Sequence, residues 1–366
     1  RARERWQAMS LLATHFLDVV RGLPTLRAFN RGAAQIERIE QVSDEYRSAT
    51  MGTLRLAFLS GTVLELAATL GVALVAVTVG VRLVDGGIAF EPALTVLLLA
   101  PELYLPLRNL AAGFHASADG AAVADRLLTL IEQPAVAPGG SVIPPSPRDA
   151  PIAIESVSFV YPGRPHAALA AVDLVLGPGE CVALVGRSGG GKSTLASLLC
   201  LFAAPQSGRI LIGNDDLAEC DAVAWRRQIA WLPQSPTLFR GTVADNIRLA
   251  NRSATDEHVR AAAIQAGADG FVSRLPGGYG TVVGEGGRQL STGEVQRIAL
   301  GRAFLRDAAF VVLDEPTANL DPASAGAVAD AVDRLRPGRT MLLIAHDAEL
   351  ASHADRIVTI DAGRIA

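Results

Sequence analysis

Lysine is almost missing from this chain. Of 33 basic residues in 366, a single one is lysine, Lys192, and the rest are arginines. Arginine serves wherever positive charge alone matters. The one lysine therefore marks a place where a compact ammonium on a flexible stem does what a planar guanidinium cannot. Cysteine is scarce too. Cys181, Cys200 and Cys220 have neither metal-site nor redox-pair spacing, which leaves buried free thiols as their reading. A net charge of −4 excludes a globally basic surface, so no nucleic-acid partner is expected. The first fifty residues lack the short apolar core of a signal peptide, and residue 1 is arginine rather than methionine. The chain is expected to be a piece of a longer protein.

Apolar residues are plentiful instead, at 50% of the chain. Residues 56–81 hold one charge, Glu65. As a helix this run is about 39 Å long, enough to cross a hydrocarbon core of about 30 Å with tilt. A soluble core helix of that length would carry a polar face. A second apolar stretch, 90–112, is weaker: it contains Glu102 and Arg108 and is punctuated by Pro101 and Pro106. Nine arginines lie in residues 1–55, and Arg108 and Arg126 accompany the second stretch, whereas the loop 85–91 has no basic residue. The positive-inside rule then puts both ends in the cytoplasm and the short loop outside.

The expected organisation is multidomain. A partial all-α transmembrane domain covers 1–131, with an intracellular loop at 1–53, a span at 54–84 and a span at 90–112 with a cytoplasmic extension. Residues 132–150, rich in proline and glycine, read as an exposed linker. From 151 to 366 short β-branched runs such as "CVALVG", "AFVVLDE" and "TMLLIAH" alternate with helical stretches. That is the signature of an α/β domain with a mostly parallel sheet.

The chemistry sits in this second half. "GRSGGGKS", from Gly186 to Ser193, follows the strand "CVALV" and fits the P-loop pattern G-x-x-x-x-G-K-[ST]. Gly186, Gly189 and Gly191 let backbone N–H groups turn inward as an anion nest that includes Ser188, and the helix N-terminus at Lys192 to Thr194 adds its positive end. Lys192 is expected to reach the β- and γ-phosphates of ATP, and the Ser193 hydroxyl to bind Mg²⁺. "FVVLDE" ends in two carboxylates: Asp314 is placed to hold Mg²⁺ through water, and Glu315 to polarise the attacking water. A surface acidic pair at a strand end is the ordinary alternative, and only the P-loop reverses it.

With these residues in view, 151–366 resembles the nucleotide-binding domain of an ABC transporter. "LSTGE" at 290–294 is similar to the family's signature sequence, "LPQ" at Gln234 to its Q-loop, "ANLD" ending at Asp321 to its D-loop, "LLIAHD" with His346 to its switch histidine, and "VVGEGG" to the X-loop of exporters. Tyr161 in "FVYPGRP" stands where the family stacks an aromatic on adenine. The resemblance implies that Gln234 ligates Mg²⁺ and senses the γ-phosphate. It implies that His346 orients the water, and that Ser291 and Gly293 contact ATP bound on a partner domain. Thr292 and Glu294 depart from the usual glycine and glutamine, and Glu294 adds negative charge beside a triphosphate.

The order of spans, linker and nucleotide-binding domain resembles one half of an ABC exporter. Such a half usually has six spans, of which the fifth and sixth match here. Residues 22–30, "GLPTLRAFN", match the coupling helix that docks on the partner. Residues 97–127 resemble the last span of CydDC-type cysteine and glutathione exporters, on which cytochrome bd assembly depends. This implies a multi-pass protein of the inner (plasma) membrane with its nucleotide-binding domain in the cytoplasm. It also implies contact with lipid, a second half that is CydC-like or identical, and a small thiol as substrate. Glu102 and Arg108 are expected to face the translocation cavity, against an internal ion pair or snorkelling. A lipid or drug exporter half, a catalytically dead half and a soluble ABC ATPase are the alternatives, and the run 56–81 speaks against the last.

Overall fold

A computed structural model describes residues 2–132 and 140–366 of the chain. They divide into two compact units, 1–133 and 134–366.

The first unit is helical. Helix α1 spans Ala2–Arg21 and the short α2 Leu23–Ala28. Pro24 lies in the first turn of α2, where its missing N–H costs nothing, so the stretch 22–30 holds a separate six-residue helix. Helix α3, Gly32–Val84, runs without interruption for 53 residues, about 80 Å. The polar loop segment and the apolar span thus form one rod. Gly86, with φ +70°, turns the chain tightly after it, and the Gly87 N–H closes back on the Arg82 carbonyl. Helix α4, Phe90–Ile131, continues through Pro101 and Pro106. Helices α3 and α4 approach closely at Gly71, where an added Cβ would lie 2.2 Å from the Tyr104 hydroxyl oxygen.

Among the described residues one segment, Phe58–Val84, is long and apolar enough to cross a membrane. The second expected span, 90–112, runs from residue 107 on into side chains outside the described set. Phe58, Leu70, Leu74 and Val77 on α3 and Leu98 and Leu103 on α4 are exposed. Apolar surface on that scale is covered by lipid or by other helices in a working protein.

The second unit is α/β. Strands β1 (Ile152–Phe159) and β2 (Leu169–Leu176) pair antiparallel, and β4 (Ser207–Ile212) and β5 (Asp215–Asp216) extend the sheet in the order β2-β1-β4-β5 once β3 (Cys181–Val185) has left it. Strand β3 lies in a six-stranded sheet with β6 (Ile229–Leu232), β9 (Phe310–Asp314), β10 (Thr340–Ile344), β11 (Arg356–Asp361) and β12 (Arg364–Ile365), ordered β12-β11-β3-β10-β9-β6. Every residue of β9 and β10 is buried, which is why these strands read as continuous apolar runs rather than alternating ones. Each fully buried Val, Leu or Ile side chain there contributes about 1.5–3 kcal/mol relative to exposure. Strands β7 (Gly241–Thr242) and β8 (Val282–Val283) make a small ladder beside the helical part.

Helix α5 (Lys192–Leu199) follows β3, and α6 (Ala222–Arg227) precedes β6. Helices α7 (Val243–Arg248), α8 (Asp256–Gln265) and α9 (Asp269–Val272) gather around α10 (Thr292–Arg306), and their shared core holds Val243, Ile247, Val259, Phe271 and Ile298. Helices α11 (Pro322–Leu335) and α12 (Ala348–Ala351) complete the unit.

The linker is docked over part of its length. Residues 133–139 lie outside the described residues, but 142–148 are docked along the α/β unit rather than hanging free. Val142 bridges to Cys220, the Pro144 carbonyl accepts from Gln228 Nε2 at 3.0 Å, and the Pro147 carbonyl accepts the buried Thr340 hydroxyl at 2.6 Å. Arg148 donates to the Asp307 carboxylate at 2.9 Å. Proline has no N–H to satisfy but keeps its carbonyl, so a proline-rich strap can lie on a surface with few unmet donors.

Candidate functional site

Four parallel strands, β6, β9, β10 and β3, end in one row. Leu184 on β3 pairs with Ile344 on β10, Ile344 with Asp314 on β9, and Leu313 with Leu232 on β6. The loops leaving those ends carry the P-loop, His346, Glu315 and Gln234. An open parallel sheet binds ligands outside the carboxyl ends of its strands, and the P-loop, Gln234, Asp314, Glu315 and His346 all lie at that edge, whereas Tyr161, Ser291, Gly293 and Asp321 stand on other elements.

Two of the P-loop glycines, Gly186 and Gly191, are forced by close packing. At Gly186 a Cβ would lie 2.0 Å from the Ile360 carbonyl oxygen; at Gly191 it would lie 2.6 Å from that of Ala168, at a φ of +109°. Gly191 is the N-cap of α5, so Lys192 begins that helix. Lys192 is 5% exposed. Its ammonium donates to the carbonyls of Gly186 (2.7 Å) and Arg187 (3.1 Å), and so is folded over the loop it belongs to. Ser188 and Gly189 are exposed on the turn, whereas Thr194 is buried.

Tyr161 stands beside this helix, its hydroxyl 3.4 Å from Thr194 Oγ1. Its ring is set edge-on against Phe159, with centroids 4.9 Å apart. The Arg164 guanidinium lies 5.8 Å from the ring centroid. Arg164, which the sequence reading passed over, is a second group able to stack on a planar base.

The two carboxylates at the end of β9 have opposite environments. Asp314 is 7% exposed, and one of its oxygens, Oδ1, is buried without a hydrogen-bond partner. Burial pushes its carboxyl above the usual range. The Ser193 hydrogen bond and the nearby Lys192 pull the other way, and the Glu315 charge pushes further up. A buried, unsatisfied carboxylate oxygen beside a serine hydroxyl is a hard-oxygen donor set that fits Mg²⁺.

Glu315 has turned off the strand into the left-handed region (φ +48°), and its N–H bonds to the Ile344 carbonyl at 3.0 Å. Such a backbone persists where the surroundings over-determine it. Gln234 Nε2 donates to Glu315 Oε2 at 2.6 Å, and His346 Nε2 lies 3.2 Å from Oε1. Gln234, Glu315 and His346 therefore form one connected group, although 81 residues separate the first two. Gln296, fully buried on α10, donates to the Gln234 backbone carbonyl at 3.2 Å. It ties the helix that begins at the signature to the Q-loop, a link not foreseen from sequence.

Ser291 is the N-cap of α10 and Glu294 closes a capping box with it. Gly293 packs against α11, where an added Cβ would lie 2.8 Å from the Ser324 side chain. Asp321 caps α11 by accepting from the Ser324 N–H at 3.0 Å. The hydrogen bonds from Ser324, side chain and backbone, hold its carboxyl below the usual range, so this residue has a structural task whatever else it does. The three cysteines are free and buried. Burial pushes the thiols up, Cys181 to about 11 and Cys200 to about 12, as inert core groups require. No cluster of metal-ligating side chains occurs among the described residues.

A phosphate-cradling loop, a buried carboxylate and a held glutamate at the end of a parallel sheet define an ATP-binding domain of the ABC type. The chain belongs to the ABC transporter family: residues 169–318 match the ABC transporter domain and residues 1–104 the ABC transporter transmembrane region. Over 100% of its length it is 35% identical to 64% of the glutathione/L-cysteine transport system ATP-binding/permease protein CydC of Bacillus subtilis (strain 168). It is 36% identical to the corresponding CydD protein of Escherichia coli (strain K12), over 99% of this chain and 63% of that one. The fold is also that of a bacterial Atm1-family ABC exporter with ATP bound, with a TM-score of 0.89 and 26% identity over 99% of this chain and 64% of that chain. The chain thus spans slightly under two thirds of the length of the relatives it matches.

Proposed function

We propose that this chain is the ATP-hydrolysing half of an exporter that moves a small thiol, cysteine or glutathione, out of the cytoplasm across the inner (plasma) membrane. The observation that carries the ATPase reading is Glu315. It stands at the sheet edge beside the P-loop, with Gln234 on one carboxylate oxygen and His346 near the other. The substrate reading rests on likeness over the whole chain to both a CydC and a CydD protein. That likeness also favours pairing with a second exporter half, CydC-like or identical.

In this mechanism ATP lies along the P-loop. Lys192 exchanges the Gly186 and Arg187 carbonyls for oxygens of the β- and γ-phosphates. Gly186, Ser188, Gly189, Gly191 and Thr194 supply backbone and hydroxyl donors, and Tyr161 packs on the base. Ser193 and Asp314, with Gln234 contributing its amide oxygen, are the residues that would hold Mg²⁺; bound there, the ion neutralises charge on the β- and γ-phosphates. Glu315 orients a water and takes its proton as the water oxygen bonds to the γ-phosphorus and the bond to the β–γ bridging oxygen breaks. His346 holds the γ-phosphate and steadies Glu315. Ser291, Gly293 and Asp321 act across the interface, on ATP held by the second half.

The test is ATPase activity of the full-length protein, with and without a co-expressed second half, in the presence of cysteine, glutathione or lipid. Stimulation by the thiols supports the reading, and stimulation by lipid alone replaces it with a lipid exporter. Glu315→Gln should bind ATP but turn over about 10²-fold or more slower, as expected when a group acting on the transition state is lost. Equal turnover would show that this site is not the hydrolytic one.

A further inference from the structure

The signature helix is occupied by its own side chain. Glu294 Oε2 accepts from the Ser291 N–H at 2.8 Å and from the Ser291 hydroxyl at 3.0 Å, while the Glu294 N–H reaches Ser291 Oγ at 3.4 Å. The Ser291 hydroxyl proton is therefore given to a carboxylate of the same turn. That carboxylate also lies at the positive end of a 15-residue helix, where a negative charge is stabilised. Nearby cationic chemistry is engaged elsewhere: Arg297 donates to the carbonyls of Gly293 (3.2 Å) and Gly267 (3.2 Å). Ser291 itself is exposed, so a second anion can approach.

A γ-phosphate and the Glu294 carboxylate ask for the same things: the Ser291 hydroxyl proton and the field of the helix N-terminus. Both are anions, so they cannot share that end without repulsion. We propose that Glu294 is an internal competitor for nucleotide phosphate at Ser291, and so raises the ATP concentration at which two such domains close. This rests on the reading above that Ser291 meets the γ-phosphate of ATP held by the second half. Glu294 touches neither ATP nor water in this scheme; it acts through Ser291, as a positioning residue that sets affinity.

Glutamine at 294 keeps the size of the side chain and one acceptor oxygen for the cap, but drops the charge. The test uses the full-length protein with its second half, measuring KM for ATP and kcat. Glu294→Gln should lower KM roughly fivefold, the fold-change that matches the worth of one helix cap, with thermal stability unchanged or slightly lower. Glu294→Ala, which removes the carboxylate altogether, should lower KM as well. A merely structural cap would raise KM or leave it alone when removed. The double variant Ser291→Ala, Glu294→Gln should lose the gain. An unchanged or higher KM in both folded Glu294 variants overturns the proposal. A Ser291→Ala variant with wild-type KM and kcat overturns instead the reading of Ser291 on which it stands.

Discussion

Replacing Asp314 by asparagine should make the protein more stable and inactive at once. Asp314 is 7% exposed and leaves Oδ1 without a partner. The cost of a buried group rises with its charge, and asparagine keeps the shape while removing the charge, so the gain at neutral pH is on the order of 1 kcal/mol. For a unit of this size that corresponds to a rise in Tm of roughly 2–4 °C. The sign follows from linkage. Burial raises the folded-state pKa of Asp314 above its ordinary value of 3.8, so the folded protein holds this proton more tightly than the unfolded chain. The penalty is absent below the unfolded pKa, grows as pH rises through the folded one, and is complete at neutral pH. The stabilisation of Asp314→Asn should therefore be present at pH 7.5 and vanish below about pH 4. Differential scanning calorimetry of the full-length wild type and variant without nucleotide measures this directly. With Mg-ATP added, the wild type should gain more than the variant, because the proposed Mg²⁺ site is damaged. A variant that is less stable than wild type at pH 7.5, or that hydrolyses ATP normally, would refute the reasoning.

Lys192→Arg keeps the charge but changes its shape, and should lose most ATP hydrolysis; in the wild type Mg-ATP should shield Lys192, the only side-chain amine in these 366 residues, from acylation in a peptide-mapping experiment. Thr340→Val removes a hydroxyl that donates to the Pro147 carbonyl and accepts from the Gly179 N–H at 2.9 Å, and should cost about 2–3 kcal/mol in denaturant unfolding. Gly191→Ala should abolish ATP binding in a filter or fluorescence assay, because its Cβ would meet the Ala168 carbonyl at 2.6 Å in a φ that alanine resists.

The parts of the proposed nucleotide site were legible because each is local. A P-loop is a strand, a turn and a helix start within a dozen residues, and "FVVLDE" is a strand with its ending. The capping box on α10 follows the spacing of "STGE", serine and glutamate three apart before an apolar run, but it was not read from the sequence, where Glu294 stood out only by its charge. The strap at 142–148 was misread for a related reason. Composition reports that proline and glycine resist regular structure, and says nothing about whether their carbonyls find donors such as Thr340, Gln228 and Arg148.

What the sequence alone determines is therefore which residues are able to bind phosphate, hold a divalent ion or take a proton, since those abilities belong to residue types at short spacing. The tertiary structure decides which of them meet. The pairing of Gln234 with Glu315, the link from Gln296 to the Q-loop and the isolation of an Asp314 oxygen all depend on four strands, far apart in the chain, ending in one row. Strand order and register are set by the packing of buried side chains across the whole sheet, and no short stretch of sequence contains that information.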